Sequence, residues 1–138
     1  MTANLNIYCD GGSRGNPGLA ASAFIVQENN GNMLFEFGKN LGVTTNNVAE
    51  YNAVLEAYVW LEENNYLNAN IAFFLDSQLV VNQLNGIYKI RDKDLINLAK
   101  IIKQKEMKFY SKITYTYIPR EKNIHADLLV NKTLDKKY

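Results

Sequence analysis

Apolar and polar residues alternate with a period of two in three stretches near the start of the chain. Residues 5–9 alternate up to Asp10, and the segments 20–27 and 32–38 follow a similar pattern. Between the last two segments lies Asn29-Asn30-Gly31, which is typical of a hairpin turn. The pattern predicts an antiparallel meander of three strands, with Asp10 at the tip of the first.

Helical spacing of apolar residues begins after this meander. The longest pattern predicts a helix with Asn46 or Asn47 as its N-cap and an apolar side formed by Tyr51, Val54, Leu55, Tyr58, Val59 and Leu61. Shorter patterns predict helices over 77–84, over 91–105 and from Asn123 onward.

Two further strands are predicted between these helices. A continuous apolar run over 71–75 ends at Asp76 and is typical of a central strand covered on both faces, and 112–118 alternates again until Pro119. The resulting order is βββαβααβα. It predicts an α/β fold with a mixed five-stranded sheet, its first three strands antiparallel, and helices on both faces.

The composition narrows the class of protein. With 138 residues, 47% of them apolar, the chain is expected to form one domain spanning 1–138. The net charge of +1 argues against a general polyanion binder, and we interpret the lysines at 100, 103, 105, 108 and 112 as a solvated face. Because Cys9 is the only cysteine, an internal disulfide and a thiolate metal cluster are excluded. The absence of long apolar runs favours a cytoplasmic protein without a membrane span.

Four of the eight glycines lie in the stretch Asp10-Gly11-Gly12-Ser13-Arg14-Gly15-Asn16-Pro17-Gly18. Its spacing fits neither a Rossmann nor a P-loop motif, and a strand pattern follows it, so no helix N-terminus is expected there to attract an anion. Two interpretations remain. The stretch is either a hairpin loop, or a site at which bare backbone lets another molecule approach.

Four carboxylates are candidates for a shared site. Asp10 and Asp76 follow strands, whereas Glu50 and Asp127 lie early in helices on the inward side. Each has a structural alternative: a capping box of Glu50 with Asn47, a helix cap for Asp76, and the favourable helix dipole for Asp127. If the four converge, their repulsion requires cations. Oxygen ligands favour Mg²⁺ or Mn²⁺, and two such ions about 4 Å apart hold a phosphodiester between attacking water and leaving oxygen.

The chain closely resembles the ribonuclease H family, specifically the ribonuclease HI type. The resemblance spans essentially the whole chain and rests on four segments in order: Asp10 to Gly18, Thr45-Asn46-Asn47-Val48-Ala49-Glu50, Asp76-Ser77-Gln78, and Pro119-Arg120-Glu121-Lys122-Asn123-Ile124-His125-Ala126-Asp127. It implies a ribonuclease H fold and an endonuclease that hydrolyses the RNA strand of RNA·DNA hybrids, leaving 5′-phosphate and 3′-hydroxyl ends.

The resemblance also implies residue roles. The catalytic metal ligands of the family match Asp10, Glu50, Asp76 and Asp127, which would hold two Mg²⁺ or Mn²⁺ ions, one activating the attacking water and one stabilising the leaving oxygen. Family positions that contact the hybrid match Gly11, Gly12, Ser13, Asn16, Thr45, Asn46, Asn47 and Gln78, with the 2′-OH distinguishing RNA from DNA. For Asn46 and Asn47, helix capping stays open as the alternative to contact with the hybrid. A third arrangement is that one of them caps the helix while its neighbour binds the hybrid.

Two features depart from the family pattern. A catalytic histidine in a flexible loop is absent, and His125 is expected to be exposed or packed rather than catalytic, because it points to a different helix face from Asp127. Arg120 is an auxiliary candidate that orients a phosphate or aids metal and product release; its alternative role is a surface ion pair. The segment 88–95 lacks room for the extra basic helix of some members, which predicts modest, salt-sensitive hybrid affinity.

Two alternative functions stay open beside the ribonuclease. One is a catalytically weak or inactive hybrid-binding accessory module, and the other is a DNA nuclease of the same fold superfamily. The asparagine and glycine set argues against the DNA nuclease, and the intact acid quartet argues against the accessory module. We expect a monomer that binds RNA·DNA hybrid, with no membrane and no obligate protein partner.

Overall fold

Residues 3–136 are described by the computed structural model. Their strands and helices follow the predicted order, with a 3-10 turn over Arg120–Lys122 added before the last helix: β1 Asn4–Arg14, β2 Gly18–Glu28, β3 Met33–Thr44, α1 Asn46–Glu63, β4 Asn70–Leu75, α2 Gln78–Leu84, α3 Lys93–Glu106, β5 Ile113–Tyr117 and α4 Ile124–Leu134. Among the helices of these residues, none has the length and apolar content needed to cross a membrane.

The five strands form one mixed sheet in the order β3-β2-β1-β4-β5. β1 pairs antiparallel with β2 and parallel with β4, so it is the central strand at which strand direction changes. α1 covers one face of the sheet through buried side chains such as Tyr51 and Tyr58, and α4 covers the other through Ala126 and Leu129. The predicted mixed sheet with helices on both faces is confirmed.

β1 is longer than the sequence predicts. Its antiparallel pairing with β2 continues to Arg14 opposite Leu19, whereas its parallel pairing with β4 ends at Tyr8 opposite Phe74. Asp10 therefore lies within a strand, beyond the end of the parallel pairing, and the prediction that it stands at a strand tip is wrong. The chain reverses only over 15–17. The strand was predicted to end too early because glycine has a low preference for strands. In the structure, pairing with β2 outweighs this preference.

β3 also extends past its predicted end, from Gly38 to Thr44. Residues 39–44 pair with β2 across a register shift between Ala20 and Ala21. Since β3 is an edge strand, most of its side chains in this part are exposed and show no apolar alternation. The pairing partner, rather than side-chain pattern, determines this strand.

The buried side of α1 differs in part from the predicted one. Tyr51, Val54, Tyr58 and Leu61 are buried as expected, but Val59 is 36% exposed. The remaining buried positions are taken by Glu50 and by three small residues, namely Ala49, Ala53 and Ala57. Because alanine is short, this side of α1 approaches β1 closely, and that approach brings the start of α1 to the centre of the sheet.

β4 is covered less evenly than predicted. Ile71, Phe73 and Leu75 are buried on the α1 side, whereas Ala72 and Phe74 are only half-buried. On that second face Phe74 stacks on Tyr8, with ring centroids 5.1 Å apart. α4 packs over β1, β2 and β3, so it leaves β4 partly open.

Candidate active site

The end of the parallel pairing between β1 and β4 creates the gap in which the candidate site lies. Asp10 follows this pairing on β1, and Asp76 comes directly after β4. The carboxyl ends of parallel strands meet at the same edge of a sheet, which is where α/β proteins bind ligands. Asp10 is buried, with 6% of its surface exposed, and Asp76 is half-buried.

Glu50 enters this gap from the first turns of α1. A Cβ on Gly11 would lie 2.3 Å from the carbonyl carbon of Ala49 and 2.4 Å from the backbone nitrogen of Glu50, so only glycine permits this contact. The backbone N–H of Gly11 donates to Glu50 Oε1 at 2.9 Å. Glu50 is therefore held toward the sheet. It makes no capping box with Asn47, since the N-cap of α1 is Thr45, whose Oγ1 accepts from the backbone N–H of Val48.

Three of the four predicted carboxylates come together. One oxygen from each of Asp10, Glu50 and Asp76 lies within 4.8 Å of the others. Asp127 is half-buried in the first turn of α4 and lies outside this group of three. Besides burial, which is the largest cause, the charge of Asp127 raises the pKa values of Asp10 and Asp76, so it is within electrostatic reach of both.

Burial makes the ionised state of this cluster unfavourable. Burial is the main cause that raises the pKa of Asp10 from 3.8 to about 7, although hydrogen bonds with Glu50 and Gly11 oppose the shift. Burial and the charge of Asp10 raise the pKa of Glu50 well above its usual value. Burial also raises the pKa of Asp76, against the opposing effect of its neighbour Asn123.

The residues present fit a divalent metal ion. All the candidate ligands are carboxylate oxygens, the type that hard divalent cations prefer. Glu50 Oε2 is buried without a hydrogen-bond partner among residues 3–136, although its other oxygen is occupied by Gly11. A cation would satisfy this oxygen and remove the repulsion that raises the pKa values of the cluster.

The β1–β2 turn is fixed to the start of α1 by an asparagine network. Asn46 Oδ1 accepts from Ser13 N at 2.8 Å and from Ser13 Oγ at 3.0 Å, and Asn46 N donates to Asn16 Oδ1 at 3.0 Å. The turn therefore lies against a helix N-terminus, contrary to the prediction. The prediction was wrong because the next element along the chain is the strand β2, whereas α1 packs against the turn only in the folded structure.

The comparison with known proteins agrees with this geometry. A family model described as reverse transcriptase-like matches residues 8–133. Ribonuclease HI of the archaeon Halobacterium salinarum is 36% identical over 132 residues, which cover 95% of the chain and 64% of that protein. The chain belongs to the ribonuclease H family, ribonuclease HI type.

Solved ribonuclease H structures have the same fold. The Halobacterium salinarum RNase H1 superposes with a TM-score of 0.90 at 34% identity, over 96% of this chain and 98% of that one. LC11-RNase H1, solved in complex with an RNA/DNA hybrid, superposes with a TM-score of 0.91 at 37% identity, over 96% of this chain and 97% of that one. A bifunctional protein of Mycobacterium tuberculosis is 37% identical over 131 residues, 94% of the chain, and the chain spans 35% of its length.

In this ribonuclease H fold, the other predicted substrate residues lie on or next to the elements that carry the acids. Gly12 follows Gly11 on β1, and Thr45 and Asn47 flank Asn46 at the start of α1. Gln78 is exposed as the first residue of α2, whose N-cap is Ser77 rather than Asp76. The predicted cap by Asn46 or Asn47 is wrong, because Thr45 takes that role. Neither asparagine side chain is therefore needed to cap α1.

Arg120 and His125 lie on different sides of the start of α4 in the ribonuclease H fold. Arg120 is exposed, forms no ion pair with a carboxylate of residues 3–136, and its charge is one of the causes that lower the pKa of Asp76 after burial has raised it. His125 Nε2 lies 3.6 Å from Glu36 Oε2 on β3, and its side chain is 51% exposed. Of the two environments expected for His125, exposed or packed, the structure shows the exposed one.

Asn123 is a residue of this site that the sequence reasoning missed. It is 1% exposed, and its Nδ2 donates to the carbonyl oxygen of Cys9 at 2.8 Å and to Asp76 Oδ2 at 3.4 Å. The signal in the sequence was a polar residue between the Pro119 break and the last helix, within a segment that resembles the family. Its burial is not visible in the sequence, because polar residues before helices are usually exposed caps.

Proposed function

We propose that this protein is an endonuclease that hydrolyses the RNA strand of RNA·DNA hybrids and leaves 5′-phosphate and 3′-hydroxyl ends. The observation that carries the proposal is the convergence of Asp10, Glu50 and Asp76 where the parallel pairing of β1 with β4 ends. The similarity to LC11-RNase H1, a protein solved with an RNA/DNA hybrid, supports the choice of substrate.

The proposed cofactor is Mg²⁺ or Mn²⁺, two ions per site with substrate bound. Asp10, Glu50 and Asp76 would hold them, with Asp127 as the fourth ligand. When bound, such ions activate a water molecule for attack on phosphorus and stabilise charge on the leaving oxygen. The carboxylates themselves fix the ions in place. Gly11 contributes by holding Glu50 Oε1, which leaves Oε2 for the ions.

Arg120 is proposed to contact a phosphate of the substrate. An arginine side chain is a poor general base, so Arg120 is not proposed to take a proton from water. Its charge reaches Asp76 without being engaged in an ion pair with the acids of residues 3–136. A planar guanidinium whose charge reaches Asp76 is suited to orient the scissile phosphate or to assist its release.

The asparagine network is proposed to contact the minor groove of the hybrid. Because Asn46 Oδ1 already accepts from Ser13, the amide hydrogens on Nδ2 remain to donate to a ligand. Gly12, Asn16, Thr45, Asn47 and Gln78 complete the proposed surface. Hydrogen bonds to 2′-hydroxyl groups would then distinguish the RNA strand from the DNA strand.

We further propose that residues 1–138 act as one monomeric domain in the cytoplasm. The sheet and its two helical layers bury a continuous core on the α1 side, which supports the single domain. Gel filtration with light scattering measures the mass, for which 15.7 kDa is expected of the monomer. A mass of twice that value would contradict it.

The test of the function is cleavage of a labelled RNA·DNA hybrid with and without Mg²⁺. Wild type is expected to cut the RNA strand only when metal is present, and Asp10→Asn and Asp76→Asn are each expected to reduce the rate by at least about 100-fold, the cost typical of lost metal chemistry. Glu63→Gln is the matched control, since it removes an exposed acid at the far end of α1, about 20 Å from Glu50.

The substrates of the same assay separate the alternatives. Cutting of duplex DNA in place of the hybrid would identify a DNA nuclease, and tight hybrid binding without turnover would identify an accessory module. Cleavage that survives both acid substitutions would overturn the proposed chemistry. Analysis of the ends checks the polarity, because a 5′-phosphate product is expected.

A further inference from the structure

Asn123 joins the segments that carry three of the acids. Its backbone N–H donates to the carbonyl oxygen of Arg120 at 2.9 Å, and its carbonyl oxygen accepts from the N–H of Asp127 at 3.1 Å. It therefore stands where the 3-10 turn ends and α4 begins. Any movement of this residue changes the position of the first turn of α4, which carries Asp127.

The side chain of Asn123 extends the sheet where two strands separate. The parallel pairing of β1 with β4 ends at Tyr8 opposite Phe74. One residue later, the carbonyl oxygen of Cys9 accepts from Asn123 Nδ2 at 2.8 Å. The same nitrogen also donates to Asp76 Oδ2 at 3.4 Å. A single amide group thus spans the gap between the strand of Asp10 and the residue that follows β4.

The orientation of this amide is determined by its partners. The Cys9 carbonyl and the Asp76 carboxylate are both acceptors, so only the nitrogen of the amide satisfies them. A rotated amide would place its oxygen against two oxygens. Asn123 Oδ1 is left buried without a hydrogen-bond partner among residues 3–136.

This unpartnered oxygen argues against a role in stability alone. A buried polar atom without a partner lowers the stability of a fold, and an apolar side chain of the same size avoids that cost. The position nevertheless holds an asparagine that is 1% exposed. The benefit that balances the cost is the pair of hydrogen bonds made by Nδ2, and one of them is to a carboxylate of the site.

We propose that Asn123 is a positioning residue that fixes the carboxylate of Asp76 relative to Asp10, so that the two bind divalent cations together. This inference rests on the proposed metal-dependent function. Groups that orient metal ligands typically change metal affinity or activity by about 10- to 100-fold when they are removed. An effect of that size is expected here.

The test measures Mn²⁺ binding to the full chain by titration calorimetry, without substrate. Asn123→Leu fills a similar volume and removes the unpartnered oxygen, but it also leaves the buried Cys9 carbonyl without its donor. It is expected to stay folded, at some cost in unfolding temperature, and to bind Mn²⁺ about 10- to 100-fold more weakly. Asn123→Ala is expected to weaken binding similarly, with some loss of stability. In cleavage assays, the half-saturating metal concentration is expected to rise, with the KM for hybrid unchanged at saturating metal.

Asn85→Ala is the matched control. Asn85 Nδ2 donates to the carbonyl oxygen of Tyr115 on β5 at 3.0 Å, so the control removes the same kind of bond to a strand away from the acids. Its Mn²⁺ affinity is expected to stay within about twofold of wild type, a change below the typical effect of a group that orients a ligand.

Three outcomes would overturn the inference. They are wild-type Mn²⁺ affinity in a folded Asn123→Leu protein, equal losses of affinity in the Asn123 and Asn85 variants, and failure of both Asn123 variants to fold, which would make Asn123 a structural residue. Failure of the proposed function gives a different result. In that case wild type binds Mn²⁺ in an Asn123-dependent manner but cleaves no hybrid.

Discussion

Gly11 lies between the central strand and the first turns of α1, where a side chain has no room. A Cβ there would lie 2.5 Å or less from three backbone atoms of Ala49 and Glu50. Gly11→Ala is therefore expected to push α1 away from β1, at a cost of about 1–3 kcal/mol in the free energy of unfolding. Urea unfolding measures this cost. Because Glu50 moves with α1, Mn²⁺ affinity is expected to fall as well.

Gly12→Ala is the neighbouring control. The nearest atom to a Cβ on Gly12 is Val130 Cγ1 at 3.7 Å, an ordinary contact, and its φ is not in the left-handed region. The substitution is expected to leave stability unchanged or to raise it by about 0.4–1 kcal/mol. Equal losses in the two variants would show that general strand disruption, rather than the contact with α1, determines the effect.

Asp10 is expected to make the stability of the metal-free protein depend on pH. Its pKa is about 7 in the fold against 3.8 ordinarily, so between these values the native state keeps a proton that the unfolded chain has released. The free energy of unfolding should then fall as pH rises from about 4 to about 7, by no more than about 4 kcal/mol, since one pKa unit corresponds to about 1.4 kcal/mol. Below that range the effect disappears.

Thermal unfolding in EDTA across this pH range measures the dependence. Asp10→Asn is expected to be more stable than wild type at pH 8, to lose that advantage near pH 4, and to show a shallower slope, with Glu50 and Asp76 supplying the remainder. Glu63→Gln should keep the wild-type slope. Added Mg²⁺ should stabilise wild type most at high pH. An unchanged slope in Asp10→Asn would exclude Asp10 as its source.

The helices and strands were predicted correctly where one side of the element is buried. The prediction failed where the extent of a strand is determined by pairing with its neighbour. Apolar spacing located α1, α3 and α4 because each has one buried side. The end of β3 was missed since its exposed edge needs no apolar residues. The glycines of β1 were assigned to a loop, although Gly11 is a strand residue that makes room for α1.

For the candidate site, the sequence predicted that four acids converge, and the structure brings three of them together. Asp10, Glu50, Asp76 and Asp127 were expected to converge, because carboxylates at strand ends and on the inward side of helices need partners or cations to offset the cost of burial. Asn123 was missed, since its role depends on a hydrogen bond to the carbonyl oxygen of Cys9, which lies 114 positions earlier in the chain. No local sequence pattern reveals such a contact. The association of the β1–β2 turn with α1 was missed for the same reason.

The charge of the chain is nearly balanced, with a net value of +1. Attraction to a polyanion must then come from a local set of cations. Four exposed basic residues are candidates: Lys89, Arg91 and Lys93, which lie between the end of α2 and the start of α3, and Arg120, which lies before α4. Neutralising about four phosphates predicts that hybrid affinity falls on the order of 100-fold between 50 and 200 mM salt.

Binding of hybrid to the Asp10→Asn protein in EDTA, titrated over KCl concentration, measures this slope without cleavage. Arg91→Ala is expected to reduce the slope of log Kd against log salt by about one. Lys112→Ala is the matched control, because Lys112 precedes β5 and so lies at the sheet edge opposite the acids. Since its charge is remote from the proposed interface, its slope should equal that of the parent. A nearly salt-independent Kd, or equal effects of the two substitutions, would place the hybrid on another surface.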